Sequence, residues 1–133
     1  MEEVEIRIEA DVNPTEDEAK VKRAVENAFG NLQFELKPLK RGGILIARTS
    51  GKDGLTKLHN LLKRERIRDA ARAVMFKGMS GNSIVFYLNK QVCYAGHVSF
   101  SQPVGESPLG PIKVEIQCQD PVQIIDWLAP RTM

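Results

Sequence analysis

Two groupings of side chains in this 133-residue chain are of a type that could do chemistry. The first is Cys93 with His97. A thiol beside an imidazole makes a nucleophile and its base, provided the two lie within hydrogen-bond reach. Residues 91–100 read as a strand, with Val92, Tyr94, Val98 and Phe100 at one parity. Four strand residues would hold Cys93 and His97 roughly 13 Å apart, and Cys118 could approach either only through tertiary folding. The expectation is that neither cysteine is catalytic. Both fall in predicted strands and read as buried free thiols, without a disulfide or a metal.

The second grouping is a crowd of bases between Lys57 and Arg72. Glu65 can pair with Arg68, and Asp69 with Arg72, at i,i+3 on a helix. Lys57, Lys63, Arg64 and Arg66 have no acid in such register. Unpaired cations on a helix corner suit phosphate, so these four are the candidate nucleic-acid contacts. The rival reading is an ordinary solvated helix face. Aromatic side chains that could stack bases are missing nearby in the sequence, and His59 reads as a packed, partly exposed histidine. Any binding is therefore expected to be weak, salt-sensitive and indifferent to base sequence, with log affinity falling against log salt at a slope of roughly −3 to −4.

Other motifs carry less. Lys40-Arg41-Gly42-Gly43 is a basic turn that could grip phosphate through backbone N–H groups, but it lacks P-loop spacing and opens no helix, so it reads as a hairpin turn. Gly78-Met79-Ser80-Gly81 spells the GxxG loop that joins two helices in a nucleic-acid clamp. Here it leads into a strand, and the match is a coincidence. HExxH, paired CxxC, GxSxG and nucleotide-binding glycine patterns are absent from the sequence. The chain reads as non-enzymatic, with no cofactor.

The elements that must position these residues follow from periodicity. Val4, Ile6, Ile8, Ala10 and Val12 alternate with charged residues, giving a half-buried strand. Thr15 as N-cap and Glu18 at N3 form a capping box for a helix burying Val21, Ala24, Val25, Ala28 and Phe29 and stopping at Gly30. Leu32, Phe34 and Leu36 predict a strand that Pro38 limits or marks as an edge. Ile44 to Ala47 is the next strand. Leu55, Leu58, Leu61 and Leu62 share one helical face, whereas Ile67, Ala70, Ala71, Val74 and Met75 share a roughly opposite one. A break between Lys63 and Arg66 would let both halves face one core.

After Gly78, residues 83–88 are apolar at both parities, as in a strand covered on both faces or covered on the second by a partner. Such a leftover apolar patch predicts a homodimer. Asn89-Lys90 reads as a tight turn into the strand at residues 91–100. Residues 101–111, with three prolines and two glycines, form a long loop. Ile112, Val114, Ile116 and Cys118 make the last strand. Asp120, Pro121 and Gln123 open a helix that ends at Ala129-Pro130, with Trp127 and Leu128 pinning it to the sheet.

Length makes this a single domain over residues 1–133, large enough for a core without disulfides or metal. Hydrophobic residues at 42% and charged residues at 27% are those of a globular protein. No apolar run approaches a membrane span, and the acidic, alternating N-terminus is not a signal peptide, so cytoplasm is the expected location. The net charge of +2 is unevenly spread: residues 52–77 hold eight bases against three acids, and residues 1–30 nine acids against four bases. That asymmetry suits a polyanion surface on the middle segment, or charge pairing within the fold or across a dimer.

The runs IRDAARAVMFKGMSGNSIVFYLNKQ, GPIKVEI and IIDWLAP, with the opening VEIRIEADVNPTED, resemble an archaea-specific protein family to which no activity is assigned. Members of that family resemble in fold the large-subunit ribosomal protein that contacts 5S RNA. The resemblance implies an α+β domain, a mixed and largely antiparallel sheet with helices packed against it, and a homodimer. It implies RNA as a partner only by analogy of fold, and it assigns no catalytic or binding residue.

Overall fold

The computed structural model describes residues 3–102 and 110–131. Six strands form one antiparallel sheet: β1 (Glu5–Val12), β2 (Phe34–Pro38), β3 (Gly43–Ser50), β4 (Met79–Ser80), β5 (Ser83–Leu88) and β6 (Ile112–Gln117). Their order is β2-β3-β1-β6-β5-β4. The last strand in the chain thus enters between the first strand and β5. Among the described residues, five α-helices complete the fold: α1 (Glu18–Phe29), α2 (Thr56–Arg64), α3 (Arg68–Lys77), α4 (Lys90–Tyr94) and α5 (Pro121–Leu128). This is the α+β class expected.

Alternation decides which face of the sheet is core. Ile6, Ile8 and Ala10 of β1 pair with Thr49, Ala47 and Leu45 of β3 on one side and with Ile116, Val114 and Ile112 of β6 on the other. These apolar β1 and β6 residues, with Leu45, Ala47, Ile84, Phe86 and Leu88, join the buried stripes of all five helices in one cluster. The opposite parity stays open: Glu5 and Asp11 are exposed, and Arg7, Glu9, Lys113, Glu115, Val85 and Tyr87 are half-buried. So β5 has one covered face and one open, partly apolar face. Pro38 ends β2, which is the sheet edge, where a missing N–H costs nothing.

The helix break expected between Lys63 and Arg66 is present, and its cause is a Schellman motif. Ile67 N–H donates to the Leu62 carbonyl and Arg66 N–H to the Lys63 carbonyl, each at 3.2 Å. Arg66 stands at the left-handed position, φ 58°, where glycine is usual. The reversal lets Leu58, Leu61 and Leu62 of α2 and Ala71 and Met75 of α3 face the same core. A Cβ in that conformation costs about 1–2 kcal/mol. Arg66→Gly is accordingly expected to raise unfolding stability by up to about 1 kcal/mol, after glycine's own entropic cost, as read by urea denaturation.

Two local readings of the sequence are corrected. Residues 91–100 do not form a strand. Asn89 caps α4, its Oδ1 accepting from Val92 N–H at 2.9 Å. Gly96, φ 89°, closes the helix by a second Schellman motif, His97 N–H to the Val92 carbonyl and Gly96 N–H to the Cys93 carbonyl. Local capping outweighs an alternation that spans only a few residues. The cap of α1 is Asp17, not Thr15, with Oδ1 accepting from Ala19 N–H. The cap expected at Asp120 forms, to Gln123 N–H. Most of the loop expected at residues 101–111 lies outside the described residues.

Lys90, at the start of α4, is the one buried charged residue among those described, 3% exposed. Its Nζ donates to the Asp11 carbonyl at 2.7 Å and to Glu16 Oε1 at 3.0 Å. Glu16 in turn accepts from the Asn13 backbone and side-chain N–H groups. This network ties α4 to the turn between β1 and α1.

Candidate nucleic-acid interface

The six bases from Lys57 to Arg72 divide into two sets. One set reaches across onto helix ends. Lys57 Nζ donates to the Glu26 carbonyl in the last turn of α1, at 2.9 Å. Arg64 Nη2 donates to the Gly96 carbonyl just past α4, at 2.9 Å. Arg72 Nη1 donates to the Ala129 carbonyl at the end of α5 and pairs with Asp126 at 2.7 Å. Cations suit these places, because the last carbonyls of a helix carry the negative end of its dipole.

The other set faces out. Lys63, Arg66, Arg68 and Asp69 line a cleft of about 500 Å³ at the elbow between α2 and α3. Lys63 and Arg66 are exposed, and Arg68 is half-buried. The Schellman reversal places Lys63 at the last turn of α2 and Arg68 at the first of α3, so both converge on the elbow. Of the four residues singled out from the sequence, Lys63 and Arg66 meet in the cleft, while Lys57 and Arg64 are engaged elsewhere. Arg68 is the addition. Its assignment to a pair with Glu65 concealed it, but Glu65 contacts Arg64, at 3.7 Å, and His97 Nδ1, at 2.9 Å. Lys40 and Arg41 do not line this cleft.

The thiol and imidazole groups stay apart for a different reason than strand spacing. Cys93 is fully buried on α4, and burial pushes its thiol up to about 12, so the reactive thiolate is suppressed at neutral pH. His97 is exposed and turned to Glu65. Cys118 is also buried and forms no disulfide among the described residues. Among the described residues, no cluster of three or more His, Cys, Asp or Glu side chains is placed to hold a metal ion, and no helix is long and apolar enough to cross a membrane.

Sequence reading also missed an aromatic pair. Trp127 of α5 stacks on His59 of α2, with ring centroids 4.6 Å apart and planes 16° apart. Leu128 is buried in the core, and Trp127 packs against it while half-buried.

Comparison with known proteins gives a consistent picture. A family model described as RNA binding matches residues 5–118. A UPF0201 protein of Pyrobaculum aerophilum is 45% identical over 96% of this chain and 91% of its own length. One of Sulfurisphaera tokodaii is 48% identical over 96% of this chain and 88% of its own. The crystal structure of a UPF0201 protein from Methanococcus jannaschii superposes with a TM-score of 0.87 at 38% identity, covering 97% of this chain and 95% of that one.

Proposed function

We propose that this chain, which belongs to the UPF0201 family of archaeal proteins, is a cytoplasmic, non-enzymatic RNA-binding module that grips the phosphate backbone at the α2–α3 elbow. The observation that carries the reading is the convergence of Lys63, Arg66 and Arg68 on one cleft of about 500 Å³. Three cations with a single carboxylate among them form a local field that attracts phosphate. The description of the family model points the same way. A likeness of fold to the large-subunit ribosomal protein that contacts 5S RNA, implied by the sequence resemblance, is part of the same proposal. The contacts are to backbone charge, so affinity follows salt and not base sequence. With three phosphates neutralised, log affinity for a single strand falls against log salt with a slope of about −2. This is shallower than four free bases would give, because Lys57 and Arg64 are engaged within the fold. A titration with a labelled RNA at several salt concentrations tests it. Binding that is absent at low salt, or that persists undiminished at high salt, would sink the reading.

A second reading, a homodimeric interaction module, is favoured by the open face of the sheet. Arg7 and Arg48 stand directly opposite each other on β1 and β3, and Arg7 is opposite Glu115 on β6. These residues, with Glu5 and Gln117, surround a hollow of about 410 Å³. Arg7 Nε is buried there without a hydrogen-bond partner among the described residues, a donor that an acceptor from a docked surface would satisfy. Both signs of charge, flanked by Val85 and Tyr87, suit a second copy of the same face better than a polyanion. Light scattering at micromolar concentration is expected to give twice the 14.9 kDa chain mass; a monomeric mass would refute the dimer.

A further inference from the structure

Trp127 is the chain's single tryptophan, and it is half-buried at the surface where α5 meets α2. His59, also half-buried, covers it in a parallel stack. Lys52 Nζ lies 5.3 Å from the indole centroid. His59 and Lys63 share one face of α2, a turn apart, with about 6 Å of helix rise between them. Arg68 stands one turn before Arg72, whose guanidinium is tied to Asp126 beside Trp127. The aromatic stack and the basic elbow are thus neighbours along α2.

We infer that the His59–Trp127 stack is a platform for a nucleobase of single-stranded RNA whose phosphates lie at Lys63, Arg66 and Arg68. The inference rests on the RNA-binding reading and adds the strand type to it. A phosphate grip alone does not distinguish single strands from duplexes. An imidazole already held flat on an indole offers its outer face at little further entropic cost, and every base has a π-face to lay on it. The Lys52 ammonium over the indole ring helps to hold the indole in place for the stack. A duplex keeps its bases in its own stack and can use only the cations.

The lone tryptophan makes the test direct. A single-stranded oligoribonucleotide of about ten residues, labelled at one end, is titrated at low salt while label anisotropy and Trp127 emission are recorded together. Emission is expected to fall in step with the rise in anisotropy. A duplex of the same length is expected to raise anisotropy without changing emission. His59→Ala is expected to weaken single-strand binding about tenfold and leave duplex binding unchanged, and His59→Phe is expected to retain single-strand affinity. If anisotropy rises while Trp127 emission is flat and His59→Ala binds like the wild type, the platform is overturned and the elbow stands. If anisotropy does not rise for either nucleic acid at any salt, both fall.

Discussion

Lys90→Met is expected to destabilise the protein by about 3–5 kcal/mol, the cost of removing one partner of a buried ion pair. The side chains of Lys90 and Glu16 are only 4% and 11% exposed. Without Lys90 the Glu16 carboxylate keeps its Asn13 hydrogen bonds but loses its countercharge, and the Asp11 carbonyl loses a donor. In a domain of this size the melting temperature would drop on the order of 10–20 °C. Lys90→Met combined with Glu16→Gln is expected to recover more than half of the loss. The amide oxygen can still accept from Asn13, and no charge remains to be desolvated. The competing effect is hydration, since a hollow of about 330 Å³ adjoins both residues. Should water entering there solvate Glu16, Lys90→Met would cost under about 1 kcal/mol and the double variant would gain nothing. Urea denaturation of the two variants separates these results.

The second large effect is on binding. The triple variant Lys63→Ala, Arg66→Ala, Arg68→Ala is expected to weaken single-stranded RNA binding about 100-fold near 0.1 M salt, and to flatten the salt slope from about −2 toward zero. Its stability should stay close to that of the wild type, because alanine at position 66 keeps the same left-handed strain that arginine bears there. Lys57→Ala and Arg64→Ala form the contrasting pair. Their amino and guanidinium groups hold helix-end carbonyls, so their loss is expected to lower stability, by under about 1 kcal/mol each given their exposure, and to change RNA affinity little. A triple variant that binds like the wild type at every salt concentration would dismiss the elbow. A Lys57 and Arg64 variant that loses most of the affinity would return the site to the assignment made from helical register alone.

The contrast between these two sets explains how much of the site was legible. Lys63 and Arg66 were identifiable because they flank a break that the apolar stripe itself demands. Arg68 was hidden by a nominal i,i+3 partner that turned to His97 and Arg64. Lys57 and Arg64 looked unpaired because they have no acid in helical register and their hydrogen bonds go to backbone carbonyls, and a carbonyl carries no residue type for a sequence to display. The His59–Trp127 stack joins two helices whose meeting no local pattern announces. The misread strand at residues 91–100 is of another kind. Asn89 and Gly96 were both visible as helix punctuation, and a period-2 pattern with four members outweighed them only on paper.

By itself the amino-acid sequence determined the elements with long periodic stripes. The alternation of β1 and β6, the buried face of α1, the Asp120 cap of α5 and the reversal between α2 and α3 all follow from which residues must leave water. Apolar burial is a local demand, repeated every two residues in a strand and every three to four in a helix, so it is written along the chain. Only the tertiary structure decided the strand order, with β6 inserted between β1 and β5, and the fate of each cation. Lys90 is buried because Glu16 and the Asp11 carbonyl, more than 70 positions away, are brought to it. Lys57, Arg64 and Arg72 are helix clamps because the ends of α1, α4 and α5 arrive beside them. Lys63 and Arg66 stay exposed at the elbow, with Arg68 half-buried beside them. A charge takes its role from what packs against it, and that is a property of the assembled sheet and helices, not of the neighbours along the chain.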